Sequence, residues 1–182
     1  MAAVRLEDIY YTYDDYKLWE GDWELIDGIP FAMVPAPTRK HQSISGAILA
    51  NIYEQIDECQ NCEILSEVDY KISERTVVRP DVVLVCNEKN KAYLTKAPEI
   101  IIEIISKSTA KKDEVFKFNL YETEKVKYYI IVYPNDLRAK IYKHNGEKYI
   151  KEGDFFDETY FFEETTYKVN LDFKKVFKKF RN

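Results

Sequence analysis

The run VVRPDVVLVC at residues 77–86 sets a proline and an acid at the head of five apolar residues, and PEIIIEIIS at 98–106 holds Glu103 inside an isoleucine run. Continuous apolar runs of this length read as strands buried on both faces, at the centre of a sheet flanked by helices. An unpaired carboxylate in such a place costs several kcal/mol, so Asp81 and Glu103 must be paired, protonated or metal-bound. Proline is tolerated at the first residue of a strand and not inside it, so Pro80 sets Asp81 near a rim while Glu103 lies deeper.

The rest of the chain alternates strands and helices. YTYDDYKLWE reads as a short helix with Thr12 as its N-cap and Asp15 in the first turn. WELIDGIPFAMV reads as two strands joined at Asp27-Gly28, a strong hairpin signal. Pro35 and Pro37 precede a helix expected from Thr38 to Glu58, with Ile44, Ala47, Ile48, Ile52 and Ile56 on its apolar face. CEILSEVDYKIS reads as one strand with partial alternation. Ser108 or Thr109 is placed to cap a helix to about Glu124, after which KYYIIVYP, RAKIYKHN and EKYIKEGDF give three strands turning at Asn135-Asp136 and Asn145-Gly146. A terminal helix closes the chain. A strand–helix–strand unit followed by hairpins implies a mixed sheet with helices packed on it, a single α/β domain over residues 1–182.

Composition narrows the function classes. No apolar stretch approaches the ~20 residues of a membrane span, and the N-terminus lacks the apolar core of an export signal. The three cysteines fit a reducing cytosol better than a disulfide framework, so the expected location is cytoplasmic. A net charge of −5 does not advertise a nucleic-acid binder. Positive charge is nevertheless clustered in KSTAKK (107–112) and in the tail, at Lys174, Lys175, Lys178 and Lys179. The tail lysines are either a phosphate-facing patch or the solvated side of an amphipathic helix that buries Phe173, Val176, Phe177 and Phe180; the spacing favours the second.

The helix after Glu103 supplies a partner for the acids. Asp113, Phe116, Lys117, Leu120 and Tyr121 share one face, and Phe116 and Leu120 must point at the sheet. From Glu103 the strand runs ~10 Å outward, and the helix from Thr109 to Lys117 brings the chain ~12 Å back. That levels the Lys117 ammonium with Glu103. Two readings follow. Lys117 is a buried counter-ion while Asp81 caps a turn, or the two acids form a metal site with a positioned cation at a pocket rim.

Pro80-Asp81 with Glu103 twenty-two residues on resembles the PD-(D/E)XK nuclease superfamily. The order WELIDG, a histidine opening the next helix, RPDVVLV, EIISKST, D-x-x-x-K-x-x-x-Y and KYYIIVYP is similar to the Uma family of restriction-endonuclease-like proteins, over residues from about 10 to 142. The resemblance implies a restriction-endonuclease-like core, a mixed β-sheet flanked by helices, with extra C-terminal β-hairpin strands. It implies Mg²⁺-dependent hydrolysis of DNA phosphodiesters, with Mn²⁺ as a substitute. By position, Asp81 and Glu103 would be metal ligands, with the Ile104 backbone carbonyl as a third. The superfamily's lysine stands two residues after the second acid, where this chain has Ile105; Lys117 occupies the place of a substitute from the following helix. Glu24 matches the family's early acid, as a second-metal or outer-shell residue or as a plain hairpin-face residue.

Mg²⁺ keeps several waters, so two carboxylates and a carbonyl suffice as protein ligands. His41 and Tyr121 are supporting candidates, Tyr121 by packing on or bonding to the lysine, and Asp113 shares their face. Cys59-Gln-Asn-Cys62 has metal-ligand spacing but no second pair, so it is expected to be inert. The expected function is a DNA endonuclease, as a homodimer where two strands are cut; the alternative is a catalytically silent nuclease fold that binds nucleic acid or a protein partner.

Overall fold

The computed structural model describes residues 10–33, 37–106 and 112–181, with Lys112 described by its backbone alone. The expected cap at Ser108 or Thr109 and the lysines at 107 and 111 lie outside the described residues. Helix α1 (Tyr13–Tyr16) opens with a capping box in which Thr12 and Asp15 satisfy each other's amides. Strands β1 (Trp23–Ile26) and β2 (Ile29–Ala32) form a hairpin in which Asp27 and Gly28 both take positive φ, 51° and 80°. Only glycine fits the second position, because a Cβ there would lie 2.5 Å from the Cβ of Tyr10. Helix α2 (Arg39–Ile56) is capped by Thr38, whose side chain accepts the His41 amide, and buries Ile44, Ile48, Ile52 and Ile56.

Next come β3 (Cys62–Ser66), β4 (Tyr70–Ser73), β5 (Thr76–Val78), β6 (Val82–Cys86) and β7 (Ile100–Ile104). A π-helical segment, Lys112–Lys117, runs into α3 (Phe118–Thr123). Strands β8 (Tyr128–Tyr133), β9 (Arg138–His144), β10 (Tyr149–Phe155), β11 (Thr159–Phe162) and β12 (Val169–Asp172) lead to α4 (Phe173–Phe177), which Asp172 caps and a 3₁₀ turn, Lys178–Phe180, extends.

Six strands form the main sheet in the order β10-β9-β8-β7-β6-β3, mixed because β7 and β8 run parallel and the other pairs antiparallel. Alternation along the central strands feeds two cores. Val82, Leu84, Ile100 and Ile102 face α2 and α4, while Val83, Val85, Ile101 and Tyr129 face α3. Burial on both faces is why these strands read as unbroken apolar runs. Glu103 is on the α3 side. A second sheet, β2-β1-β5-β4, stands apart, and β11 and β12 pair as a hairpin. The α/β architecture and the C-terminal hairpin strands agree with expectation.

As Pro80 implies, β6 begins just after it, and the chain changes sheets at Arg79-Pro80. Two expectations need correction. CEILSEVDYKIS is two strands in different sheets, because Glu67 takes a left-handed φ of 51° and turns the chain out of the main sheet. The three cysteines are not all free thiols: Cys62 and Cys86 face each other across β3 and β6 and form a disulfide, leaving Cys59 free. No helix among the described residues is long and apolar enough to cross a membrane.

The connection from β6 to β7 is organised by one carboxylate. Glu88 accepts the backbone amides of Lys89, Asn90, Thr95 and Lys96 at 2.7–2.9 Å. Burial works to raise its carboxyl, and these four amides outweigh burial and hold it down at about 2. A group depressed in the folded state stabilises above its unfolded value and stops doing so as pH falls through the folded one. The stability difference between the parent and Glu88→Gln should therefore be complete above the ordinary glutamate value of ~4.3 and fade as pH falls towards about 2, as read by denaturant melts across that range.

Candidate active site

The four acids of the site come from separate elements. Glu24 lies on β1, Asp81 immediately precedes β6, Glu103 is on β7, and Asp113 opens the π-helical segment. Val82 pairs with Ile102 in the antiparallel ladder, so one further step of the same register sets Asp81 opposite Glu103. Directly opposed residues have Cβ atoms about 4.5–5.5 Å apart, which brings the two side chains together on one face.

Lys117 is the hub. Its Nζ lies 2.8 Å from Oε1 of Glu103, 2.9 Å from Oε1 of Glu24 and 3.7 Å from Oδ1 of Asp113. The lysine and Glu103 side chains are 4% exposed and Glu24 is 0% exposed, so the ion pairs are dry. Asp113, Lys117 and Tyr121 stand one above the next on the inward face of the helix. Tyr121 donates to Oε1 of Glu103 at 3.0 Å, and Tyr129 beneath it donates to the Asp113 carbonyl at 2.9 Å. Of the two expectations for Tyr121, packing on the lysine or bonding to it, the bond is corrected: its hydroxyl donates to the acid.

Asp81 sits at the rim, with 18% of its side chain exposed, beside His41 at 14%. Its Oδ2 accepts the Ile104 amide at 2.6 Å and lies 3.2 Å from Nε2 of His41. Burial lowers the His41 imidazole, but the hydrogen bond and charge of Asp81, helped by Glu67 and the Ile104 backbone, leave it raised above the usual histidine value. Both contacts of Asp81 use Oδ2, and both contacts of Glu103 use Oε1. Oδ1 of Asp81 and Oε2 of Glu103 therefore take no hydrogen bond among the described residues.

Charge does not balance here. Burial pushes the Glu103 carboxyl well above the carboxylate range; Lys117 opposes this, and Asp113, Asp81 and Glu24 add to it. Burial also works against the Lys117 ammonium, yet Glu103, Glu24 and Asp113 hold it charged well beyond the ordinary lysine range. Among the described residues Glu24, Glu103 and Asp113 share the Lys117 ammonium, while His41 meets Asp81. No three His, Cys, Asp or Glu side chains among the described residues group as a metal site.

A family model described as "Uma2: Putative restriction endonuclease" matches residues 13–169. The chain belongs to the Uma2 family. A search of curated proteins finds no match. Among solved structures, the chain is similar to a "putative nuclease belonging to DUF820" from Anabaena variabilis ATCC 29413, at 15% identity and a TM-score of 0.72, covering 92% of this chain and 97% of that one. The likeness shows that the Uma2 chain shares that protein's fold.

The sequence-expected residues fall into two neighbouring groups: Lys117 with Glu24, Glu103 and Asp113, and with Tyr121 on Glu103; and Asp81 with His41 and the amide of Ile104, the residue after Glu103. Lys117 is not at a pocket rim but in the dry interior. Cys59 and Cys62 are in neither group; both line a separate cleft of about 290 Å³ with Tyr53 and Ile64. Arg79 went unnoticed in the sequence. Its amide donates to Oε1 of Glu24 at 2.9 Å, and its guanidinium bonds Asp69 and Asp22 at 2.8 and 2.6 Å. The one signal for it was its place directly before Pro80-Asp81. Tyr129 gave none, being one of fifteen tyrosines.

The burial of Lys117 fixes what its removal should do. Lys117→Met leaves buried carboxylates without their counter-ion, and breaking such a pair from one side costs about 3–5 kcal/mol. Denaturant melts at neutral pH should show a loss of that size. The loss should shrink at lower pH, because an acid whose folded value is raised stabilises in its protonated form. A loss under ~1 kcal/mol, the size of an exposed pair, would contradict the buried geometry.

Proposed function

We propose that this Uma2 protein is a Mg²⁺-dependent DNA endonuclease whose metal is held by Asp81 and Glu103. The observation that carries the reading is that Asp81, at the head of β6, takes the amide of Ile104, the residue after Glu103, while among the described residues each acid bonds the protein through one carboxylate oxygen. The Ile104 carbonyl, at the end of β7 beside both acids, is the proposed third ligand. When bound, the ion supplies an acidified water and charge stabilisation on the phosphate.

The chain's own residues set up that chemistry by position. The Ile104 amide and His41 hold Oδ2 of Asp81, and Lys117 and Tyr121 hold Oε1 of Glu103. Lys117 also counters the surplus charge that would keep Glu103 protonated, so it favours the carboxylate form that a metal ligand needs. We assign Lys117, Glu24, Asp113 and Tyr121 as positioning residues, since burial keeps them from reaching a substrate. Glu24 and Asp113 hold the ammonium, and Glu24 is itself held by the Arg79 amide. His41, partly exposed beside Asp81 at the rim, is the side chain placed to meet a phosphate. Cutting both strands of a duplex would take two copies of the chain.

Calorimetry with Mn²⁺ should show a binding site that Asp81→Asn or Glu103→Gln removes, while Cys59→Ser binds as the parent does. Plasmid nicking in Mg²⁺ or Mn²⁺ should fall by roughly a hundredfold or more in either acid variant, the usual scale for losing one charge-stabilising element of a catalytic site. Unchanged Mn²⁺ binding in both variants would reject the metal assignment. Metal binding without nicking by the parent would instead support the silent nuclease fold.

A further inference from the structure

Six cations that the site does not use lie on α4, its 3₁₀ extension and the first turn of α2, the helix whose His41 meets Asp81 at the rim. On α4 and its 3₁₀ extension, Phe173, Val176 and Phe177 are buried, and the opposite side presents Lys174, Lys175, Lys178 and Lys179 to solvent. Successive members at i, i+1, i+4 and i+5 form one outward stripe. The helix packs against α2, where Lys40 Nζ sits 5.3 Å from the centre of the Phe180 ring. Arg39, exposed, precedes Lys40, and His41 follows it and meets Asp81. The stripe therefore continues through the first turn of α2 to the exposed edge of the acid cluster.

These cations cluster without a counter-ion; Lys89, Lys91, Lys125 and Lys148 also lack one among the described residues but stand on separate loops. Lys17, Lys71, Lys127 and Lys143 each pair with a nearby acid. Among the described residues none of Arg39, Lys40, Lys174, Lys175, Lys178 and Lys179 forms an ion pair. In a chain of net charge −5, a patch of unpaired positive charge that adjoins the acid centre stands apart from the acidic average.

We propose that this face, the outer side of α4 with the first turn of α2, holds the phosphate backbone of duplex DNA alongside the acid cluster. The proposal rests on the nuclease reading above for its choice of partner. The complementarity is of charge and shape. A duplex presents one negative charge per ~1.7 Å of axis, and a rim that binds a phosphodiester at Asp81 must accept the polymer continuing on either side. Unpaired lysines release the counter-ions of the phosphates they neutralise, and lysines already held by acids do not. The acid cluster repels the polyanion, so attraction has to come from neighbouring surface. Such a face grips the backbone and reads no sequence.

The test separates place from net charge. Fluorescence anisotropy with a short labelled duplex, in EDTA and at several salt concentrations, compares the parent with Lys178→Glu/Lys179→Glu and with Lys89→Glu/Lys91→Glu. The second pair makes the same change of charge on exposed positions of the connection from β6 to β7. The parent should bind. The α4 pair should weaken binding by about tenfold or more near 0.1 M salt and lower the slope of log K against log salt by about 0.9 for each phosphate that is no longer neutralised. The control pair should match the parent.

No binding by the parent, equal weakening by both pairs, or an unchanged slope in the α4 pair overturns the proposal. If melts show the α4 pair to be unfolded, Lys174→Gln/Lys175→Gln provides the same reading without charge reversal. Cleavage assays in Mn²⁺ distinguish this proposal from the nuclease reading. A parent that binds through α4 and never cuts keeps the surface and loses the nuclease. A parent that cuts, with the α4 pair equal to it in kcat/KM, loses the surface alone.

Discussion

The Lys117 ammonium joins three parts of the molecule. Glu24 belongs to the small sheet, Glu103 to the main sheet, and Asp113 with Lys117 to the helix between β7 and β8. Each acid is costly where it stands, and each is tolerable because the same cation serves all three. Hydrophobic contact alone would not choose this arrangement, since burial of apolar surface is non-directional. An ammonium within 3 Å of two buried carboxylates does choose it. The network therefore acts as the registration point between the two sheets and the crossover helix, whatever chemistry the site performs.

A second constraint delivers the acids to that point. At Arg79-Pro80-Asp81 the chain leaves the small sheet and enters the main one. Pro80 ends one ladder, and the residues on either side of it act on four others. The Arg79 amide holds Glu24, the Arg79 guanidinium ties Asp69 and Asp22 near α1, and the Asp81 carboxylate takes the Ile104 amide on the neighbouring strand. The corner that changes sheets is thus the corner that aligns the site. The planar, multi-donor guanidinium suits Arg79 to bridging two acids from one place.

Much of the site was legible because its signals are local. An acid after proline, an acid inside an isoleucine run, and a lysine spaced to lie inward on the next helix can each be read from a few residues. Strand spacing and helix rise then suffice to bring Lys117 level with Glu103. What escaped is non-local. The partner of Tyr121 depends on which side of Glu103 the ring reaches. The Cys62–Cys86 bond depends on the register of β3 against β6, and cysteine spacing does not reveal it. The division of CEILSEVDYKIS into two strands depended on sheet membership, because Glu67 gives no sign of where the chain goes next. Whether Lys117 is buried or at a rim stayed open for the same reason: β1, which carries Glu24 to it, lies about ninety residues upstream.

The acid cluster sets a problem that the rest of the surface has to solve. A site rich enough in carboxylates to hold a divalent ion repels the phosphate it would act on, in a chain that is already negative overall. Within the cluster the protein answers with one lysine, but that lysine is buried and fully engaged by three acids, so its field is spent on Glu24, Glu103 and Asp113. Attraction for a polyanion must then act from outside the cluster and within a Debye length of its rim, about 8–10 Å at ordinary salt. Helix α2 reaches Asp81 from the opposite side of the main sheet, through His41, and α2 is the helix against which α4 packs. The apolar stripe of α4, Phe173, Val176 and Phe177, is what turns its lysines outward. Core packing on one side of the sheet thereby decides where positive charge appears on the surface beside a site built on the other.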